Sequence, residues 1–341
     1  MVISAESTRN KYKWHEQINS MEEGIPVTRF YFNHALNLTF LNLYIRFVLL
    51  IYFAELILIK RFYPNIIHIH FHQSFFWAKL YAGFFKIPLI ITEHWSAFLG
   101  WPDIGKLRYK KAAEAFNKAR KVIPVSSKIQ KGITDYTGAK ISHKSTIIPN
   151  TVDTNIFDNN KKTDKKDDCK NLIFVGRNAE EKDIPTLLKG IAEIIKRERN
   201  CMLHMIGDGT YYPIEKLIKE HGLQANVIQY GQQNKAFISE LMNTCEVLLL
   251  TSTIENSPCV IGEAHCCGVP VVATDVGGIS ELIIEGDLFE PGNHIQMAEK
   301  VIECLRRPIN KKELAAKASQ KFGYESIGQQ LYNVYREICV G

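Results

Sequence analysis

The stretch TSTIENSPCVIGEAHCCGVPVVATDVGG, residues 251–278, decides the fold. It opens at the end of one apolar run, EVLLLTS (246–252), and closes in another, VPVVATD (269–275). Between them Ser257 fits the N-cap of a helix and Pro258 its first position, where the missing N–H costs nothing. Gly268 supplies the stop before the next extended segment. Strand, helix and strand in succession build a parallel sheet wrapped by helices.

The same stretch sets Glu255 on the loop before the helix and Glu263 on its second turn. At the helix start the N–H groups of Cys259, Val260 and Ile261 lack intrahelical partners and the dipole adds positive charge, so a phosphate is favoured there. A carboxylate only accepts hydrogen bonds, which suits vicinal hydroxyls on a sugar. A diphosphate site flanked by two hydroxyl binders describes a nucleotide sugar.

Working outward, the second half carries further strand runs at NLIFVG (171–176), CMLHMIG (201–207) and NVIQYG (226–231), with helical patterns such as IPTLLKGIAEIIKRER between them. The first half alternates in the same way from residue 62: NIIHIHF (65–71), IPLIITEH (87–94) and KVIPVS (121–126) read as strands, WAKLYAGFF and LRYKKAAEAFNKAR (107–120) as helices. Lys-, Asp- and Asn-rich sequence after STIIPNTVDTNIF cannot build a core and marks a crossing between domains. Two doubly wound α/β domains result, with ligands expected at the carboxyl ends of the strands. Their expected bounds are 1–150, a linker at 151–170, 171–322, and a terminal helical segment at 323–341.

The 341 residues, 46% hydrophobic and 23% charged, suffice for two ordinary cores. All eight cysteines lie after residue 168 without a regular framework, which fits reduced thiols in a cytosolic protein. The net charge of +6 divides into +11 for residues 1–150 and −5 for 151–341, so the first half is expected to meet something anionic. MVISAESTRNKYKWHEQ lacks the apolar core of a signal peptide. The run LNLYIRFVLLIYFAELILI (41–59) has the length of a span, but Asn42, Arg46 and Glu55 favour a helix inside a domain.

Cations for a pyrophosphate stand in FVGRNAEEKDIP: Arg177 directly after a strand, and Lys182 just before a helix capped by Asp183. With VGR and EK in 175–182, MIGDG (205–209), ENSPCVIGEAHCCGVPVVATDVGGISELI (255–283) and IIPNTVDTNIF (147–157), the chain resembles the family 4 glycosyltransferases of the GT-B fold. The resemblance covers nearly the whole chain and is stronger in the second half.

It implies a retaining transfer of a hexosyl or N-acetylhexosaminyl group from a nucleotide diphosphate sugar, UDP-linked rather than GDP-linked, with no obligatory metal. Arg177 and Lys182 would stabilise the departing diphosphate. Glu263 would hold the ribose and Glu255 the donor sugar, while Ser257, Pro258, Cys259 and Val260 would bind the donor, with backbone N–H groups near 257–260 completing the anion site. Pro258 itself, lacking an N–H, would contribute only shape. Gly207, Asp208 and Gly231 would lie by the nucleotide. His94, in ITEHWSAF, matches the position of a histidine facing the donor sugar. The acceptor would be a saccharide or lipid-linked sugar in polysaccharide or glycolipid assembly. The terminal YESIGQQLYNVYREIC (324–339) would cross back onto the first domain.

Departures are Asp183 where glycine is usual, Asn256-Ser257-Pro258 in place of a Gly-Phe-Gly run, and a start at what looks like the family's second strand. His68, His70 and His72 alternate along a strand but span about 13 Å, too far for one metal ion. MIGDGTYY lacks the third glycine of a dinucleotide fingerprint, which disfavours hydride transfer. Cys266 and Cys267 read as packing residues. The basic run through 106–131 has Ala112, Ala115, Phe116 and Ala119 as its inner stripe. Its outer face is either simply solvated or docks to an anionic membrane, on the cytoplasmic side, or to an anionic lipid-linked acceptor. Nucleic acid is not an expected partner. Two rivals remain, a nucleotide-sugar epimerase on the same fold and a non-catalytic nucleotide-sugar binding protein.

Overall fold

Apolar runs rich in Val, Ile and Leu become most of the strands in two of the three sheets of the computed structural model, which describes residues 2–8, 15–22, 25–33, 48, 51, 52, 55, 63–100, 103, 105–159 and 169–340. The chain packs as two units, one of Met1–Ile67 with Ser74–Ile87 and one of His68–Gln73 with Pro88–Gly341. In the first, β1 (Val2–Thr8), β2 (His15–Glu22) and β3 (Ile25–Asn33) pair in the order β1-β3-β2, β1 parallel and β2 antiparallel to β3. The apolar run 41–59 falls almost wholly outside the described residues. Among those described, no helix is long and apolar enough to cross a membrane.

The second unit holds two sheets. β4 (Ile67–His70), β5 (Leu89–Glu93) and β6 (Lys121–Pro124) form the smaller one, with β5 central and parallel to β6. Helix Lys106–Lys118 turns Ala112, Ala115 and Phe116 fully inward, with Ala119 just beyond it, which is the expected stripe. Its lysines and Arg108 stay outside.

The larger sheet contains β7 (Lys170–Val175), β8 (Cys201–Ile206), β9 (Val227–Gln229), β10 (Val247–Leu250), β11 (Val271–Thr274) and β12 (Gly286–Phe289). Their order is β12-β11-β10-β7-β8-β9, and every neighbouring pair is parallel. Successive strand residues point to opposite faces, so continuous apolar runs serve a sheet covered twice. Leu172, Phe174, Val247 and Leu249 pack under helices Ile184–Arg197 and His294–Arg306. Ile173, Leu248 and Leu250 pack under Cys259–Cys266 and Lys311–Phe322, a core that includes both Cys266 and Cys267. Burying each such side chain is worth about 1.5–3 kcal/mol, so both layers contribute. All eight cysteines are free.

β12 was not foreseen: it is a four-residue edge strand, GDLF, whose Gly and Asp hide it from any apolar count. The terminal helix Tyr324–Val340 does return to the smaller sheet, where Tyr335 Oη meets His68 Nδ1 at 2.7 Å and Lys121 Nζ meets Glu337 at 2.9 Å. Because β8 and β9 extend one side of β7 while β10, β11 and β12 extend the other, the switch in direction falls at β7 and β10. Loops leaving those two strands part there and open a crevice.

Candidate functional site

The loop after β7 carries Arg177 and Lys182. A short 3-10 turn, Glu180–Lys182, ends at Asp183, whose backbone is left-handed (φ 45°) and whose carboxylate caps the next helix by accepting from Thr186 N–H at 3.3 Å. That backbone explains why glycine suits the position, and the cap explains how Asp holds it. The loop is tied to the one after β10, since Thr251 Oγ1 donates to the Lys182 carbonyl at 2.8 Å and Thr253 N–H to that of Glu181 at 2.8 Å.

Across that seam Lys182 Nζ forms an ion pair with Glu255, both side chains largely buried, and Ser252 Oγ donates to the same carboxylate oxygen at 3.1 Å. Gly277 fixes the Glu255 loop from behind. Its φ is 54°, and a Cβ there would fall 1.5 Å from the Glu255 carbonyl oxygen. Arg177 is different: its side chain is 75% exposed and its guanidinium stands 4.0 Å from Glu181.

His94 arrives from the smaller sheet, on the turn after β5. Asn256 Nδ2 donates to the His94 carbonyl at 2.8 Å, while Ser126 Oγ donates to Asn256 Oδ1 at 3.0 Å. Asn150 Nδ2 donates to the Ser257 carbonyl at 2.7 Å, and its side chain faces the recess that His94 also lines. Burial, then the neighbouring His70 ring, hold His94 below the ordinary imidazole range, with Glu93 and Asn150 opposing. His94, Ser96, Asn150, Glu181, Lys182, Ile254, Glu255, Asn256 and Ser257 line one recess of about 240 Å³. Asn150, Asn256 and Ser96 were not foreseen. For Ser96 and Asn256 a place after β5 and β10 was the available signal.

The helix start needs correction. The helix is Cys259–Cys266 with Pro258 at its N-cap, so Ser257 sits one position earlier and makes no cap. Ile261 N–H is also not free, because it reaches the Pro258 carbonyl at 3.3 Å. Pro258 has extended backbone (ψ 117°), which moves the first helical residue on by one. Glu263 lies on this helix, half-buried. Burial raises its carboxyl above the usual range, and Lys235 opposes that rise.

Gly207 and Gly231 line a second recess of about 100 Å³ with Gly176, Gly209, Met205 and Gln229. Gly207 N–H donates to the Gly231 carbonyl at 2.9 Å, and a Cβ on Gly207 would meet the Gly176 oxygen at 1.9 Å. Asp208 contributes its carbonyl to Asn178 N–H at 2.6 Å. The anticipated residues thus divide: His94, Lys182, Glu255 and Ser257 share one recess, Gly207 and Gly231 another. Arg177, Asp208, Pro258, Cys259, Val260 and Glu263 line neither. Among the described residues no group of three or more His, Cys, Asp or Glu is placed to hold a metal ion.

Residues 155–322 match the family model described as Glycosyl transferases group 1, and residues 20–156 the one described as Glycosyltransferase Family 4. Alpha-D-kanosaminyltransferase of Streptomyces kanamyceticus is 33% identical over 180 residues, 50% of this chain and 47% of that protein. The putative teichuronic acid biosynthesis glycosyltransferase TuaC of Bacillus subtilis is 28% identical over 74% of this chain and 64% of its own length. The match therefore spans about half to two thirds of these relatives. Among solved structures, sucrose-phosphate synthase from Thermosynechococcus elongatus superposes with a TM-score of 0.77 at 19% identity, over 98% of this chain and 89% of that one. Anabaena HepE in complex with UDP gives 0.74 at 20% identity, over 91% and 86%. Likeness at this identity shows the fold, the two-sheet GT-B arrangement with its terminal helix.

Proposed function

The chain belongs to the group 1, family 4 glycosyltransferases, and from that premise we propose that it moves a sugar from a nucleotide diphosphate donor to a saccharide or lipid-linked acceptor, with retention at the anomeric carbon. The observation that carries this is the Lys182–Glu255 pair in a recess shared with His94 and Ser257. A cation for a leaving diphosphate and a carboxylate for sugar hydroxyls stand side by side where two β-strand ends part.

In this reading Lys182 and Arg177 take the diphosphate charge, Glu255 and His94 contact the sugar, and Glu263 holds the ribose. Backbone N–H groups at 257–260 border the phosphates, less that of Pro258. The glycine-lined recess at Gly207 and Gly231 takes the nucleoside, beside Asp208. UDP is the favoured nucleotide, supported by the complexes of HepE with UDP and UDP-glucose. Residues 1–150 serve the acceptor and 171–322 the donor, across the linker 151–170, with 323–341 returning to the acceptor side. Calorimetric titration with UDP, GDP and ADP tests the donor site: selective binding of UDP is expected, and a chain that binds none of them overturns the reading. Release of UDP from a UDP-sugar only when a saccharide acceptor is present then separates transfer from epimerisation or mere binding.

The exposed face of helix Lys106–Lys118, with Lys106, Arg108, Lys110, Lys111 and the outward Leu107, suits the cytoplasmic face of an anionic membrane. Each such cation adds about 1 kcal/mol near the surface. The chain should sediment with vesicles containing anionic phospholipid and lose binding as salt rises. Equal sedimentation with neutral vesicles, or none with either, sinks this part.

A further inference from the structure

We infer that His70 is a positioning residue for His94, and that the buried Glu93 carboxylate, together with His72, is the clamp that holds the two rings in register. The inference rests on the proposed role of His94 at the donor sugar.

The alternation of HIHFH along β4 does not run to its end. Phe71 has a left-handed backbone (φ 68°), a conformation unfavourable to any residue with a Cβ, and its N–H donates to the Thr92 carbonyl at 2.9 Å. The kink turns His72 inward while His70 stays at the exposed strand end. His72 then gives both its backbone N–H (3.1 Å) and its Nδ1 (2.7 Å) to Glu93 Oε2. The other oxygen, Oε1, accepts from His94 N–H at 3.1 Å and Trp95 N–H at 3.0 Å. Glu93 is fully buried. Four donors from two turns therefore converge on one carboxylate, and those turns carry His70 and His94.

The result is a ring pair. His70 Nδ1 lies 3.3 Å from His94 Nε2, with the ring planes only 16° apart. At that separation one proton serves both nitrogens: one ring donates, the other accepts, so the two tautomers are set together. A second proton would point two N–H groups at each other. His68 supports the pair from the other side, stacking on His70 at 4.8 Å while Thr92 Oγ1 and Tyr335 Oη hold its own nitrogens at 2.7 Å. Toward His94 there also lie Glu93 and Asn150, which favour its protonation, and in the shared recess the ionisable Glu181, Lys182 and Glu255 with the neutral Ser96, Asn256 and Ser257. At neutral pH the arrangement presents His94 as an uncharged ring in a fixed tautomer, which a sugar hydroxyl can bond without competition from a mobile proton.

Histidine-selective 15N NMR titration of the whole chain tests it. In the native protein His94 should titrate below the ordinary imidazole range, and His70→Gln should raise its midpoint. In transfer assays the same variant should lower kcat about tenfold while the donor KM stays within about twofold. Glu93→Gln should displace the signals of His70, His72 and His94 together. If that variant does not fold, His70→Gln decides alone, since His70 is exposed. An unmoved His94 midpoint in His70→Gln overturns the inference. The titration needs no substrate, so coupled rings in a chain that binds no nucleotide would cost the transferase reading and leave the pair. Nucleotide binding with uncoupled rings would do the reverse.

Discussion

Replacing Lys182 with alanine weakens UDP binding by roughly 10- to 150-fold in calorimetry, the loss of one charge-assisted hydrogen bond worth about 1.5–3 kcal/mol. Lys182 is held against Glu255 before any donor arrives, so the pair must loosen for a diphosphate to enter. That gives the neighbouring substitution the opposite sign. Glu255→Gln frees the ammonium and removes a negative charge beside the phosphates, so bare UDP should bind about two- to fivefold tighter. Sugar transfer by that variant should fall if Glu255 meets the donor sugar as proposed, because that carboxylate is gone. Unchanged UDP affinity in Lys182→Ala would remove the diphosphate from this recess, and weaker binding in Glu255→Gln would mean the pair does not compete with it.

Acid should destabilise the fold through His265. The ring is fully buried, its Nδ1 donating to the Val269 carbonyl at 3.0 Å and its Nε2 accepting from Ile284 N–H at 3.2 Å. Both nitrogens are thereby committed to the neutral form, and burial lowers the group to about 4. The unfolded chain takes up the proton near 6.5, before the folded one does. The contribution is therefore complete above about pH 6.5 and is lost as pH falls toward 4, on the order of 3 kcal/mol in all. Denaturant unfolding across that range should show the loss, and His265→Gln, which keeps one donor and one acceptor, should flatten it. Parallel pH curves for the two proteins would sink the assignment.

Much of the architecture around the larger sheet was legible because its signals are local. NLIFV and EVLLL are apolar on both faces, and a sheet covered twice needs nothing else. Asp183 announced a helix start, and the spacing around Glu255 marked the loop after a strand. What escaped was set by partners far along the chain. Asn256 matters because it bonds Ser126, 130 residues away, and holds the turn of His94. Glu93 looks like any polar residue closing a strand until His72 is brought against it. The helix start was misplaced by one residue because Ser257 has the chemistry of a cap, whereas its carbonyl is engaged by Asn150 and the backbone at Pro258 is extended.

The strand order also has a consequence in time. β7 is the first strand of its sheet to be synthesised and stands near the middle of it, with β8 and β9 added to one side. The strand that covers the other side, β10, leaves the ribosome only after residues 176–246 have been made. At about 5–20 residues per second the nascent chain spends several seconds with half a sheet and one open row of backbone donors and acceptors. During that interval the chain is exposed to pairing with the wrong strand.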